Sequence, residues 1–229
     1  MEQKYTRLTP ELYSYVCRHG SRATNPILAK LRGETEGLGD ISRMLISQEQ
    51  GDFMSLLVGA VSAESAIEIG TFTGYSAICI ALGLPDNGRL ICIDQSVEWT
   101  SIARRYWQEA GVVSKIELRI GDGVDILGQL KPEELFDFAF IDADKISYDK
   151  YFELLLPHMR QNSLLLFDNM LVGGKVIAPE PADENARALD ALNKKLASDP
   201  RVESVLLAMA DGLNVCRKRE HRLGGDARS

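Results

Sequence analysis

Two short stretches, F-I-D-A-D-K at 140–145 and L-L-F-D-N at 165–169, hold the side chains best suited to chemistry. Each is an apolar run that ends on an acid, the pattern of a buried strand running out into a loop. Asp142 and Asp168 are therefore expected at neighbouring strand tips facing one crevice, with Asn169 adding a neutral oxygen. Two carboxylates brought together repel unless a cation lies between them. Three hard oxygen donors with no His or Cys select Mg²⁺ first, with Mn²⁺ or Ca²⁺ as alternatives, and leave coordination positions to water and substrate. Lys145, three residues after Asp142, would sit near that dication, which disfavours its protonated form and suits it to act as a general base. The plainer reading makes both acids helix caps and Lys145 a solvated charge.

A second chemical stretch precedes these, A-I-E-I-G-T-F-T-G-Y-S at 66–76. A β-branched run stops at Gly70, and Gly74 opens an apolar helical pattern through Ala77, Ile78, Ala81 and Leu82. Glycine lets a ligand lie against the backbone, and the free N–H groups opening a helix face the same crevice. The spacing is G-x-x-x-G with Glu68 inside the strand, which differs from the dinucleotide G-x-G-x-x-G. Asp94, 24 residues after Gly70, ends the next strand, where a carboxylate can accept both hydroxyls of a ribose or cap the helix near Ser96. Asp122, in Gly121-Asp122-Gly123, fits an adenine edge or ordinary turn chemistry equally well. There is no G-x-S-x-G elbow, H-E-x-x-H or Walker A loop, and His19, His158 and His221 stand apart from any nucleophile pattern.

These residues need a scaffold, and the pattern supplies one. Helices are predicted at 10–18 and 25–38, behind Thr9-Pro10 and Asn25-Pro26. A third starts at Ser47 as cap, with Gln50 at the third helical position and Phe53, Leu56, Leu57 and Val61 along one face. Strands at 66–69, 89–93, 116–120, 136–141 and 163–167 then alternate with helices at 74–84, 96–111, 124–130 and 147–160. Helix 183–199 leads to strands 202–208 and 213–217, close enough in sequence to form an antiparallel hairpin. The whole is an α/β fold, a Rossmann-like, mostly parallel seven-stranded sheet with helices on both faces and a ligand crevice at the carboxyl ends of its strands. Residues 1–217 make one domain, with 1–45 as an N-terminal helical lid, and the polar tail 218–229 is expected to be disordered.

With 229 residues, 45% of them hydrophobic, the chain can bury one α/β core. Its 26 basic and 33 acidic residues give a net charge of −7, and the basic ones are scattered, which argues against nucleic acid or a membrane surface as partner. No window approaches the roughly 20 apolar residues of a membrane span, and the N-terminus has no signal-like apolar run, so a cytoplasmic location is expected. Cys17, Cys79, Cys92 and Cys216 show no C-x-x-C spacing and read as free thiols.

Taken together and in order, E-I-G-T-F-T-G-Y-S at 68–76, Asp94, F-I-D-A-D-K, F-D-N at 167–169, K-V-I-A-P at 175–179, D-P-R-V-E from 199 and D-G-L-N-V-C-R to 217 resemble one family. It is that of the cation-dependent class I S-adenosylmethionine O-methyltransferases, which includes the plant caffeoyl-CoA O-methyltransferases and, more distantly, catechol O-methyltransferase. The likeness runs from about 44 to 217. It implies an S-adenosyl-L-methionine site with Glu68, Gly70, Thr71, Ser76 and the backbone at Ile46 and Ser47 around the methionine and ribose, Asp94 on the ribose, and Gly123, Asp142 and Asp144 as further contacts. It implies Asp142, Asp168 and Asn169 as metal ligands, Lys145 as base, a small phenolic acceptor of vicinal-diphenol type, and a homodimer. Where plant members carry an aromatic and an asparagine after the Asp-Asn pair, this chain has Met170-Leu171-Val172-Gly173-Gly174, so the acceptor is expected to differ from caffeoyl-CoA. A nicotinamide-dependent dehydrogenase, a non-catalytic S-adenosylmethionine-binding module and an RNA methyltransferase are the alternatives.

Overall fold

The computed structural model describes residues 6–22 and 24–220. Seven strands form one sheet in the order β3-β2-β1-β4-β5-β7-β6. β1 (Ser65–Ile69), β2 (Arg89–Asp94), β3 (Ile116–Ile120), β4 (Phe136–Ile141) and β5 (Met159–Phe167) run parallel. β6 (Val202–Leu207) and β7 (Leu213–Lys218) close the sheet as the expected hairpin, β7 lying antiparallel to both β5 and β6. Parallel neighbours need long crossovers, and α4 (Tyr75–Gly83), α5 (Val97–Glu109), α6 (Gly123–Leu127), α7 (Tyr148–Leu155) and α8 (Glu184–Ser198) supply or flank them. Ahead of the sheet stand α1 (Pro10–Arg18), α2 (Pro26–Glu36) and α3 (Gln48–Ala60). Among the described residues no helix is long and apolar enough to cross a membrane.

Strand periodicity divides the interior into two cores. In β4, Phe138 and Phe140 face a cluster with Leu31, Met54, Ile78 and Trp107, whereas Ala139 and Ile141 face one with Tyr148, Phe152 and Leu189. In β1, Ile67 and Ile69 take the second face, so Glu68 is turned toward the first and is fully buried. A charged residue at a core position is rare without function.

The order of strands reverses between β1 and β4, the place where an open α/β sheet opens a crevice. Backbone bonds carry the ladder one residue past each strand end: Gly70 N–H donates to Ile93 O (2.9 Å), Asp142 N–H to Ile69 O (2.8 Å) and Asp168 N–H to Ile141 O (3.0 Å). The three loops therefore leave the sheet side by side.

Several local expectations are corrected. The helix expected at 147–160 ends at Leu155, because Pro157 cannot extend it, and a 3-10 turn (Leu156–His158) passes straight into β5 four residues earlier than predicted. β7 includes Lys218, which belonged to the expected tail, while 221–229 lie outside the described residues. On α3 the expected apolar face is rotated. Leu56 is 65% exposed, and the helix turns Gln50, Gly51, Met54, Ser55 and Val58 inward. Gly51 permits this, since a Cβ there would lie 2.8 Å from Cys79 Sγ on α4. Ser47 occupies the N-cap, but its hydroxyl makes no capping bond.

Candidate active site

A cavity of about 870 Å³ opens over the β1–β4 reversal. Its floor is the β1–α4 turn. Gly70 has φ +87°, and a Cβ there would fall 2.0 Å from the Asp142 carbonyl oxygen, so only glycine lets the donor-side turn touch the β4 loop. Gly74, φ +88°, caps α4 so closely that a Cβ would meet Trp107 Nε1 at 2.6 Å. Asp94 braces the same turn: its Oδ2 accepts from Thr71 N–H (2.9 Å) and Phe72 N–H (2.8 Å), while Oδ1 accepts from Ser96 N–H (2.7 Å). The carboxylate lines the cavity, whereas the cap of α5 is Ser96, whose Oγ accepts from Trp99 N–H, so the capping reading of Asp94 gives way. Asp122 does not line the cavity; it caps α6 through Val124 and Asp125 N–H, and its adenine reading gives way to turn chemistry.

Glu68 lies beneath this floor. Burial pushes its carboxyl up to about 7, against hydrogen bonds from Thr71 and Cys92 that reach it. Thr71 Oγ1 donates to one oxygen, and Oε1 has no partner. Ser47 Oγ, at the cavity wall, is also buried and unpaired. Polar atoms this well buried usually have partners, so these orphans mark positions where a polar ligand fits.

The opposite end is acidic. Asp168 is 3% exposed, and its carboxyl is pushed up first by burial and then by the charge of Asp142, the mark of two carboxylates facing each other. Asn169 follows with φ +57°, and its N–H donates to Asp168 Oδ1 (2.7 Å). Lys145 Nζ donates to Asp142 Oδ1 (2.8 Å) and to the Tyr148 hydroxyl (2.7 Å). Tyr148 is fully buried, and burial with the surrounding carboxylates holds its phenol well above the usual range. Asp144 caps the following turn and accepts from Tyr151 OH, whose ring also packs where a Gly123 Cβ would stand, 2.9 Å from Cε1.

Ile46, Ser47, Gly70, Thr71, Ser76, Asp94, Gly123, Asp142, Asp144, Lys145, Asp168 and Asn169 thus line one cavity, with Glu68 directly under it. Among the described residues no group of three or more His, Cys, Asp or Glu is placed to hold a metal; the set at the strand tips is two carboxylates and one carboxamide. Sequence reasoning missed Tyr13, Arg43 and Gln50 on the walls, and the buried hydroxyl pair Thr35–Thr73 (2.9 Å) that ties α2 to the glycine turn. Gln50 had a signal, its place one turn into α3, but was read as part of a cap.

Fold and site together define an α/β transferase with a nucleoside-sized crevice beside an acidic pocket. The chain belongs to the O-methyltransferase family, which it matches over residues 18–219. It is 34% identical over 216 residues to the caffeoyl-CoA O-methyltransferase of Eucalyptus gunnii, covering 90% of this chain and 87% of that one. It is 38% identical over 188 residues to tricin synthase 1 of Oryza sativa subsp. japonica, covering 76% and 75%. Among solved structures, an O-methyltransferase of Bacillus cereus in complex with SAH superposes with a TM-score of 0.84 at 30% identity, covering 91% and 97%. The protein is accordingly an enzyme, an O-methyltransferase, and the dehydrogenase alternative falls.

Proposed function

We propose that this O-methyltransferase moves the methyl group of S-adenosyl-L-methionine to one hydroxyl of a small vicinal diphenol, with a divalent cation held by Asp142, Asp168 and Asn169. One observation carries the reading: two carboxylates at adjacent strand tips line one cavity, the inner one pushed toward its neutral form first by burial and then by the charge of the other. Hard oxygen donors of this kind fit Mg²⁺, and Mn²⁺ or Ca²⁺ as substitutes. When bound, such a cation acts as a Lewis acid on the acceptor's oxygens and lowers the hydroxyl's pKa.

The donor reading is supported by the Bacillus cereus relative's bound SAH, S-adenosylhomocysteine, the demethylated donor, and by the orphaned Ser47 hydroxyl on the cavity wall. Gly70, Thr71 and Ser76 form the wall against which the donor lies, Asp94 meets the ribose, and Gly123 and Asp144 border its base. Lys145 takes the acceptor's proton. The S–CH₃ bond breaks as O–CH₃ forms, its electron pair stays on sulfur, and the sulfonium becomes a neutral thioether. The protein's part is to hold the attacking oxygen, the methyl carbon and the donor sulfur in line, a contribution of about 7–11 kcal/mol where alignment is good.

The wall beyond Asn169 is where the acceptor would be chosen: Tyr13 from α1, Ala210 and Asp211 line it. We also propose a homodimer in the cytoplasm, where Cys17, Cys79, Cys92 and Cys216, all free, would stay reduced. Incubation with labelled S-adenosylmethionine and a catechol panel tests the whole reading. Transfer should require added Mg²⁺ and vanish in Asp142→Ala, with S-adenosylhomocysteine still bound. Full activity in EDTA would remove the cation from the scheme.

A further inference from the structure

We propose that Gln50 is a further positioning residue of the cation site, one that steadies Asp168 and offers its carboxamide oxygen to a water carried by the cation. The inference rests on the cation reading above. Gln50 is the third residue of α3, is 1% exposed, and lines the cavity together with Asp168 and Asn169. Its carboxamide is enclosed at the same cavity wall that carries Asp168. Neither Nε2 nor Oε1 completes a hydrogen bond.

Leaving a buried amide unpaired costs about 1–3 kcal/mol for each polar group, and packing does not demand it. The other inward positions on the helix are served by Gly51, Met54, Ser55 and Val58, and a methionine would fill the place of Gln50 without a polar atom. The amide therefore answers to something that arrives with the ligands. Ser47, one turn earlier, is unpaired and faces the same cavity, so the first turn of α3 presents a polar edge to the bound molecules.

The chemistry of the gap decides what Gln50 meets. The two carboxylates Asp142 and Asp168 line the same cavity, and like charges held close together repel. A third acid would add to that repulsion in the cation-free chain, whereas an amide gives one donor for a carboxylate and one oxygen for a water without any charge. Groups that orient a ligating carboxylate in this way typically account for 10–100-fold in metal affinity.

The test uses the full chain and reads Mn²⁺ binding by electron paramagnetic resonance, with thermal unfolding and S-adenosylhomocysteine binding as controls. Gln50→Met should bind Mn²⁺ about 10–100-fold more weakly, keep its S-adenosylhomocysteine affinity, and unfold no earlier than wild type. Gln50→Glu should bind Mn²⁺ more tightly than wild type, because the added charge faces the ion. Equal Mn²⁺ affinity in wild type and Gln50→Met would overturn the assignment while leaving the cation reading intact. If Gln50→Met fails to fold, an unchanged affinity in Gln50→Glu overturns it instead. Wild-type protein that binds no Mn²⁺ removes the cation reading, and the role of Gln50 goes with it.

Discussion

Glu68 shows how one side chain can tie folding to ligand binding. It is fully buried, one of its oxygens is unpaired, and its carboxyl sits near 7, well above the unfolded value of 4.5. Between those two values the native chain holds a proton that the unfolded chain has lost. Native stability is therefore greatest below about 4.5 for this group and falls as pH rises through 7, with a slope approaching about 1.4 kcal/mol per pH unit. Chemical unfolding of the ligand-free protein between pH 5 and 8 should record that decline, and Glu68→Gln should flatten it; a slope unchanged by the substitution would mean the carboxyl titrates normally. At this scale the sequence was informative. Apart from Asp122, the residues singled out for the site, from Ile46 to Asn169, lie in or directly under one cavity, because most of them stand at a strand tip or a glycine turn where periodicity leaves little freedom. Gln50 and Tyr13 were not legible, since a polar residue in a helix declares its facing only once the neighbouring helix is packed.

At the scale of elements, the site is held by contact between two loops. The β1–α4 turn and the β4 loop touch at Gly70, where a methyl group would lie 2.0 Å from Asp142 O while φ is +87°. Gly70→Ala must push the two apart, so it should lower both S-adenosylhomocysteine affinity and cation affinity, and lower thermal stability by more than the roughly 1 kcal/mol of an ordinary left-handed alanine. Loss of one affinity alone would show that the two loops move independently. The parallel body of the sheet and its closing hairpin followed from alternation of runs and from the short link at 208–212. The start of β5 did not, because its first residues are exposed and its pairing with β4 shifts register between Phe136 and Phe138. Such an irregularity depends on the partner strand and leaves no periodic trace. The face of α3 was misjudged for a related reason: hydrophobic periodicity pointed to Leu56, whereas close packing at Gly51 against Cys79 set the rotation.

For the whole molecule, the helices ahead of the sheet are not equivalent. α2 is built into the core through Leu28 and Leu31 and is tied to the glycine turn through Thr35–Thr73. α1 buries no residue, yet its Tyr13 reaches the cavity wall. Removing residues 1–20 should therefore leave the melting temperature and S-adenosylhomocysteine affinity close to those of the full chain while raising the acceptor's KM. Scanning calorimetry and steady-state kinetics would check this, and a collapse in stability would place α1 in the structural core instead. The acceptor itself could not be read from sequence, because the α1 wall and the loop after Asn169 are assembled from distant segments whose joint shape no local pattern encodes.

The ion pair between Lys145 and Asp142 has a consequence for how the parts are switched on together. Lys145 Nζ is paired with Asp142 Oδ1 at 2.8 Å, and on the proposed cation reading that carboxylate is one the ion would also need. On that reading, arrival of the ion and release of the amine would be one exchange, an interlock that would keep the base sheathed until the acceptor's platform is assembled. Cutting the latch should split the two roles in opposite directions: Lys145→Met should bind Mn²⁺ more tightly than wild type while turning over about 10²–10⁴-fold more slowly.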